Sequence, residues 1–253
     1  MVLSLNRWVG KVAVVTGASS GIGAAIVEQL VKAGVVVAGL ARRKERVEQL
    51  AKKLSGEKGK LVAVQADLTK EQDIKAAFEY VLKNLGPVNI LVNNAGLSKF
   101  TTLTDGDTQL WKTVLDTNVL GLSIATREAI KQMKENNIDG HVIHINSVLG
   151  HTVINYPGLN VYPASKYAVT ALAETLRHEI NSQNLKIKIT SVSPGYVETE
   201  FIEVSTGKTA KDLGLNSPGL KAEDVADAVV YALSTPPHVN VSEVTVRIVG
   251  EAF

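Results

Sequence analysis

Seven short runs rich in β-branched residues alternate along the chain with longer segments of helical pattern, and this alternation constrains the fold most strongly. The runs predict strands at residues 11–17, 34–41, 60–67, 88–96, 140–147, 186–195 and 243–250. Each run is nearly continuous in apolar residues, which is typical of strands that are buried on both faces of a parallel sheet. A helix-like segment, or a loop and then a helix-like segment, follows each of the first six runs. The sequence therefore predicts a doubly wound α/β fold with a seven-stranded parallel sheet.

The length and composition favour a single domain over residues 1–253. A chain of 253 residues with 45% hydrophobic residues can bury a large core, and no repeat or linker divides it. Residues 197–220 are irregular, and we predict that they form a flap beside the site.

The charge and cysteine counts exclude several classes of function. The formal net charge is +2, which argues against a nucleic-acid partner. The chain has no cysteine, so disulfides, thiolate metal sites and a cysteine nucleophile are excluded. The sequence shows no signal-peptide or membrane-span pattern, and the expected location is therefore the cytoplasm.

The first predicted strand leads directly into the glycine-rich stretch TGASSGIG at residues 16–23, and a helical pattern follows. Dinucleotide sites require this order of strand, turn and helix. Gly17, Gly21 and Gly23 allow the backbone to turn tightly and approach a phosphate, and the N–H groups at the helix start favour an anion. The spacing differs from the common Gly-x-Gly-x-x-Gly fingerprint, and a purely structural glycine turn is the alternative.

Tyr162 and Lys166 stand four residues apart in VYPASKYAV, so they are expected on one face of a helix whose first turn contains Pro163. A phenol with a pKa of about 10 is a poor base near neutral pH, but a nearby ammonium group would favour the phenolate. The same pattern also fits an amphipathic helix with a packed tyrosine and a solvated lysine. The motifs in the rest of the chain distinguish between a catalytic pair and an ordinary amphipathic helix.

Five short motifs occur together and in order along the chain. They are TGASSGIG at 16–23, NNAG at 93–96, the serine of INSVLG at Ser147, YPASK at 162–166 and PGYVET at 194–199. With these motifs the chain resembles the short-chain dehydrogenase/reductase family over essentially its whole length. GLARRKERVEQL and ASKYAVTALAETLRHEI resemble the NADP-dependent carbonyl and alcohol dehydrogenases that include insect farnesol dehydrogenases. The resemblance implies a Rossmann fold and hydride transfer between a nicotinamide cofactor and an alcohol or carbonyl group.

The resemblance also implies a catalytic set of Asn118, Ser147, Tyr162 and Lys166. Tyr162 would exchange the substrate proton, and Ser147, at the end of the fifth strand, would donate a hydrogen bond to the substrate oxygen. Lys166 would bind the nicotinamide ribose. Asn118 resembles an asparagine whose backbone carbonyl holds a water that relays protons to the lysine. A serine in a turn and an asparagine that satisfies a helix kink are the structural alternatives.

Cofactor contacts are implied along the same motifs. Asp67 and Leu68 would contact the adenine, residues 94–96 would lie near the adenosine ribose, and residues 194–199 would hold the nicotinamide carboxamide. The full set is Gly17, Ser19, Ser20, Gly21, Ile22, Gly23, Arg42, Arg43, Asp67, Leu68, Asn94, Ala95, Gly96, Ile145, Tyr162, Lys166, Pro194, Gly195, Val197 and Thr199.

The residues after the second predicted strand favour NADP(H) over NAD(H). Ala41 stands where an NAD enzyme places a carboxylate for the ribose 2′-hydroxyl, and Arg42 and Arg43 follow it. Guanidinium groups bind phosphate well, so we predict Arg42 as the main contact of the 2′-phosphate and Arg43 as a secondary one. Some NADP-dependent relatives carry a basic residue in the glycine loop, at the position of Ser20. The chain therefore has one of the two sequence signals of NADP binding, the arginines after the second strand, and lacks the other. A solvated basic turn is the alternative.

The predicted substrate pocket is largely apolar. It comprises Ser147, Leu149, His151, Tyr156, Tyr196, Phe201 and Val204. Such a pocket suits a hydrophobic alcohol or ketone, for example an isoprenoid. A reductase of carrier-bound 3-ketoacyl groups and a nucleotide-binding sensor or scaffold without turnover are the alternative functions.

The histidines do not have the spacing of a zinc site, so we expect no catalytic metal. The predicted long helices at 110–136 and 162–181 are expected, from the resemblance, to pair between subunits in a homodimer or homotetramer.

Overall fold

The computed structural model describes residues 3–209, Asp212 and residues 218–250. Its strands are β1 (Val12–Thr16), β2 (Val36–Ala41), β3 (Lys60–Gln65), β4 (Val88–Asn93), β5 (His141–Ile145), β6 (Lys188–Pro194) and β7 (Glu243–Val246). They form one sheet in the order β3-β2-β1-β4-β5-β6-β7, and every neighbouring pair is parallel. The predicted seven-stranded parallel sheet is therefore confirmed.

Most of the strands end earlier than the sequence predicts, by four residues in β7 and by two or three in β3, β4 and β5. β3, β4 and β5 end at Gln65, Asn93 and Ile145. The residues that follow leave the sheet and turn along its edge, where Asp67 and Ser147 line a cleft. The residues that the sequence predicts as the last part of these strands therefore form part of the site instead.

The helices cover both faces of the sheet. They are α1 (Gly21–Lys32), α2 (Lys44–Lys53), α3 (Glu71–Asn84), α4 (Thr108–Leu115), α5 (Leu122–Glu135), α6 (Tyr162–Ser182), α7 (Phe201–Thr206) and α8 (Ala222–Ser234). Short 3₁₀ turns lie at Asn6–Trp8 and Val148–Gly150. None of the described helices combines the length and the apolar character that a membrane span needs.

α4 and α5 belong to one helical run that is widened in the middle. A π-helical turn, Asp116–Gly121, joins them in place of the regular helix that the sequence predicts at 110–136. Gly121 lies so close to the preceding part of the chain that a Cβ there would stand 2.3 Å from the carbonyl oxygen of Leu68. A side chain at this position would force the two segments apart.

Two hydrophobic clusters lie on the two faces of the sheet. On one face, Ile26 and Leu30 of α1 pack in the same cluster as Val229 of α8. On the other face, Phe78 of α3 and Met133 of α5 belong to the second cluster. These side chains are almost fully buried, so burial of apolar surface on both sides fixes the sheet between two helical layers.

The order in which the chain adds strands to the sheet reverses beside β1, although all the strands are parallel. β1 pairs with β2 on one side and with β4 on the other. In open parallel sheets, the crevice beyond the strand ends at such a point is where ligands bind. The loops after β1 and β4 meet there.

Part of the predicted flap is ordered secondary structure. It contains α7 and a parallel bridge between Val197 and Leu220. Residues 210–211 and 213–217 of the flap lie outside the described residues.

Candidate active-site cleft

A cavity of about 510 Å³ opens at the carboxyl ends of the strands. Almost all the predicted site residues line it. They are Gly17, Ser19, Ser20, Gly21, Ile22, Arg42, Arg43, Asp67, Leu68, Asn94, Ala95, Gly96, Ile145, Ser147, Leu149, Tyr156, Tyr162, Lys166, Pro194, Gly195, Tyr196, Val197, Thr199, Phe201 and Val204. Residues that the sequence assigned to different motifs therefore share one cleft.

The glycine loop has the backbone shape that its sequence predicts. Gly17 and Gly21 adopt φ angles of +70° and +53°, a region that side chains with a Cβ disfavour. A Cβ on Gly17 would lie 2.9 Å from the Cα of Ala95. The side-chain amide of Asn94 donates to the carbonyl oxygens of Thr16 (2.9 Å) and Gly17 (3.2 Å), which fastens the two loops together.

The residues of this loop fit a dinucleotide. Ser20 precedes α1 without capping it through its side chain, so its hydroxyl does not occupy the N–H groups of the first turn. A helix start of this kind, next to glycines in the left-handed region, presents N–H groups to a phosphate.

Gly23 does not line the cleft, in contrast to its predicted role as a cofactor contact. A Cβ on Gly23 would lie 2.3 Å from the carbonyl oxygen of Gly17 and 2.4 Å from the side-chain amide nitrogen of Asn94. Gly23 therefore allows α1 to pack tightly against the glycine loop, and it affects the conformation of the loop without lining the cleft.

Arg43 forms the wall of the cleft beside the glycine loop. Its Nη2 donates to Ser20 Oγ (3.1 Å) and, at 3.4 Å, to Ser19 Oγ. Its Nη1 lies 3.5 Å from a carboxylate oxygen of Glu200, which also accepts hydrogen bonds from Arg46. Glu200 is distant in the sequence, and no local pattern indicates it.

Asp67 lies at the same end of the cleft. Burial acts to raise its pKa, but hydrogen bonds from the backbone N–H and the hydroxyl of Thr69, together with the nearby Arg42, hold the pKa below its usual value. The carboxyl group is therefore ionised near neutral pH and can accept hydrogen bonds.

Tyr162, Ser147 and Lys166 meet at the other end of the cleft. α6 begins at Tyr162 with Pro163 in its first turn, and Lys166 lies one turn further on the same face. The Nζ of Lys166 donates to the carbonyl oxygen of Ile145 (3.0 Å) and lies 5.8 Å from the centre of the Tyr162 ring. The hydroxyl groups of Tyr162 and Ser147 form a hydrogen bond.

Burial controls the protonation of this group. Burial raises the pKa of Tyr162 above its usual value of 10, and the hydrogen bond with Ser147 only partly offsets it. Burial also lowers the pKa of Lys166 to about 8. Desolvation disfavours the charged form of both side chains, so the two pKa values move in opposite directions.

Asn118 does not line the cleft but supports it. It lies in the π-helical turn, and its side-chain amide accepts from the N–H of Leu97 and donates to the carbonyl oxygen of Leu97, both at 2.9 Å. A Cβ on Gly96 would lie 3.5 Å from Asn118 Oδ1 and 3.8 Å from Lys166 Nζ. Asn118 therefore holds the loop after β4 beside the lysine.

His151 does not line the cleft, in contrast to its predicted place in the substrate pocket. Its Nε2 lies 3.0 Å from Ser193 Oγ and 3.4 Å from a carboxylate oxygen of Glu243. The 3₁₀ turn that precedes it directs the residue toward β6 and β7. Within the described part of the chain, no group of three or more histidine or acidic side chains is arranged to hold a metal ion.

The outer end of the cleft, away from the glycine loop, contains residues that the sequence motifs do not indicate. They are Leu97, Ser98, Lys99, Phe100, Ile154, Pro157, Leu159 and Ile202. Most of them lie in loops after β4 and β5, where neither strand nor helix periodicity marks an inward-facing residue. Six of these eight residues are apolar, and the other two are Ser98 and Lys99.

Comparisons with known proteins point in one direction. A family model described as short chain dehydrogenase matches residues 11–209. The chain is 51% identical over 251 residues to farnesol dehydrogenase of Aedes aegypti, covering 98% of this chain and 100% of that protein. It is 43% identical over 249 residues to dehydrogenase/reductase SDR family member 11 of Gallus gallus, covering 96% of this chain and 98% of that protein. Among solved structures, the closed form of serine dehydrogenase complexed with NADP+ superimposes with a TM-score of 0.85 at 31% identity, covering 96% of each chain.

Proposed function

The chain belongs to the short-chain dehydrogenase/reductase family of oxidoreductases, and from this premise we propose that it transfers a hydride between NADP(H) and a hydrophobic alcohol or carbonyl compound. The observation that carries the proposal is the meeting of Tyr162, Ser147 and Lys166 in the same cleft as the glycine loop. The bound cofactor would supply or accept the hydride. The chain's own residues would bind the cofactor, orient the substrate and move the proton.

Tyr162 is the proposed acid and base of the reaction. Its raised pKa keeps the proton on the phenol oxygen near neutral pH, so the side chain is ready to donate this proton to a carbonyl oxygen. Ser147 shares a hydrogen bond with the phenol and would donate a second hydrogen bond to the same substrate oxygen. Together the two hydroxyl groups define where the reacting oxygen lies.

Lys166 is proposed to hold the nicotinamide ribose and to place a positive charge beside Tyr162. Its stem is buried and its Nζ has one described hydrogen-bond acceptor, the carbonyl oxygen of Ile145. An ammonium group has three donors, so further donors are available for ribose hydroxyls. Asn118 is proposed to support this lysine, because its amide fixes the adjacent loop.

NADP(H) is the proposed cofactor because of the charges after β2. Arg42 and Arg43 line the cleft, Ala41 ends the strand without a carboxylate, and Ser20 stands beside Arg43. The NADP+ complex of the serine dehydrogenase relative supports the same choice. We propose Arg42 and Arg43 as the groups that bind the 2′-phosphate, with Asp67 at the adenine.

The proposed substrate is a hydrophobic alcohol or ketone. Apolar residues such as Leu97, Phe100, Ile154 and Val204 line the outer end of the cleft. The high identity to farnesol dehydrogenase makes an isoprenoid alcohol the first candidate to test.

A substrate panel tests the proposal. Purified protein is assayed by nicotinamide absorbance with NADP(H) and with NAD(H), using farnesol, apolar ketones and a carrier-bound 3-ketoacyl thioester. We expect turnover of free hydrophobic substrates and a preference for NADP(H). Faster turnover of the carrier-bound thioester would favour a 3-ketoacyl reductase, and NADPH binding without turnover of any substrate would favour a sensor.

The proposed assembly is a homodimer or homotetramer through α5 and α6. A groove between these helices is lined by Leu122, Ile130, Leu172 and Leu176, with Arg127 and Glu179 among its charged residues. Light scattering at micromolar concentration tests this proposal, and a monodisperse monomer would contradict it.

A further inference from the structure

Three consecutive residues, Thr199, Glu200 and Phe201, contact three different parts of the cleft, and we refer to them as the strap. A Cβ on Gly21 would lie 3.2 Å from the methyl group of Thr199, so this residue packs against the glycine loop. The ring of Phe201 lies 5.7 Å from the ring of Tyr162, centre to centre. The strap therefore connects the glycine loop with the residue that carries the reacting proton.

The carboxylate of Glu200 fastens the strap to α2. The Nη1 of Arg46 donates to both carboxylate oxygens, at 3.0 and 2.8 Å. The Nη1 of Arg43 lies 3.5 Å from the same group, while its Nη2 donates to Ser20. Arg46 does not line the cleft, so it is an anchor outside the cofactor site and not a cofactor contact.

Building on the proposed NADP(H) function, we propose that Glu200 is a positioning residue whose ion pair with Arg46 holds the strap closed against the cofactor cleft. The glycine loop and Lys166 lie at the two ends of this cleft, and the strap residues line the same cavity. A dinucleotide that contacted both ends would lie beside the strap. Opening of the Glu200–Arg46 ion pair then accompanies cofactor exchange.

The exposure of the pair sets the size of the effect. The side chains of Arg46 and Glu200 are 40% and 47% exposed. Ion pairs at such exposure are weak and screened by salt. Loss of the pair should therefore raise the rate of strap opening by about 2- to 5-fold, and the difference should shrink at high salt.

The variant Arg46→Ala tests the proposal in the full-length protein without altering a cleft residue. Lys44→Ala is the matched control, because it removes the same charge from the same helix but breaks only a local pair with Glu48 (3.3 Å). Arg46→Lys keeps the charge and should restore most of the wild-type behaviour. Two quantities are measured: amide hydrogen exchange of residues 199–206 in the protein alone, and the dissociation rate of NADPH by stopped-flow fluorescence.

We expect faster exchange of residues 199–206 and a 2- to 5-fold faster NADPH dissociation in Arg46→Ala, with Lys44→Ala unchanged. Unchanged exchange and dissociation in Arg46→Ala would overturn the proposal, and so would equal changes in Lys44→Ala, because these would reflect net charge alone. A wild-type protein that does not bind NADPH would refute the proposed cofactor. In that case the hydrogen exchange still decides whether the ion pair holds the strap.

Discussion

Replacement of Tyr162 by phenylalanine separates the chemical role of the hydroxyl group from the structural role of the ring. The ring keeps its contact with Phe201, and the change removes one buried hydrogen bond with Ser147. A hydrogen bond of this kind contributes about 1 kcal/mol. Ser147 Oγ still accepts from the N–H of Leu149 at 3.1 Å, so the serine does not become an unsatisfied buried group.

The substitution should affect the stability of the protein and its turnover by very different amounts. A change of about 1 kcal/mol shifts the melting temperature of a domain of this size by only about 2–4 °C. General acid–base catalysis contributes about 100- to 10,000-fold, so turnover should fall by that factor while NADPH affinity stays close to wild type. This loss corresponds to about 3–5 kcal/mol in the barrier.

The assay combines steady-state turnover, NADPH titration by fluorescence and thermal unfolding. Tyr167→Phe is the control, because Tyr167 lies on the same helix and is 42% exposed. Turnover of Tyr162→Phe within tenfold of wild type would refute the assignment. A loss of NADPH affinity as large as the loss of turnover would show that the hydroxyl group acts mainly in binding.

Three further substitutions test the cofactor and packing roles. Arg42→Ala should weaken NADP binding by roughly 10- to 100-fold and leave NAD binding nearly unchanged in parallel titrations; equal losses for both cofactors would contradict the 2′-phosphate contact. Lys166→Met should reduce both NADPH affinity and turnover, and unchanged affinity would argue against a ribose contact. The pKa of Lys166 is lowered from 10.5 to about 8 in the folded protein. Between these two pH values the unfolded chain therefore keeps a proton on Lys166 that the folded protein loses. The free energy of unfolding should rise with pH over this range. Urea unfolding at pH 8 and pH 10 should show a smaller rise for Lys166→Met, by up to about 3 kcal/mol, and an identical rise would contradict this titration. Gly23→Ala would place a Cβ 2.3 Å from the Gly17 carbonyl oxygen; it should cost about 1–3 kcal/mol and lower the melting temperature, and an unchanged melting temperature would show that the loop adapts freely.

The sequence predicts those parts of the site that depend on local geometry. Tyr162 and Lys166 share a face because helix geometry brings residues four apart together, and the glycines after β1 mark a turn that requires positive φ. The apolar runs predict the seven strands because burial on both faces demands such runs.

Features that depend on distant contacts could not be predicted in this way. Glu200 lies 154 residues from Arg46, and nothing in either local sequence indicates the pair. The orientation of His151 depends on the 3₁₀ turn before it, which a strand-then-loop pattern does not resolve. The π-helical turn around Asn118 ends at Gly121, which closely approaches Leu68, a residue 53 positions earlier that no local pattern indicates.

The shared burial of Tyr162 and Lys166 bears on the direction of proton transfer. Desolvation alone keeps the phenol protonated and makes the ammonium easier to deprotonate, with a lysine pKa of about 8. Near neutral pH most of the lysine is still charged, but the phenol holds its proton. The protein's own groups therefore favour delivery of a proton to a carbonyl oxygen. Removal of a proton from an alcohol requires the phenolate form of Tyr162, and the Lys166 ammonium group, 5.8 Å from the centre of the ring, favours that form.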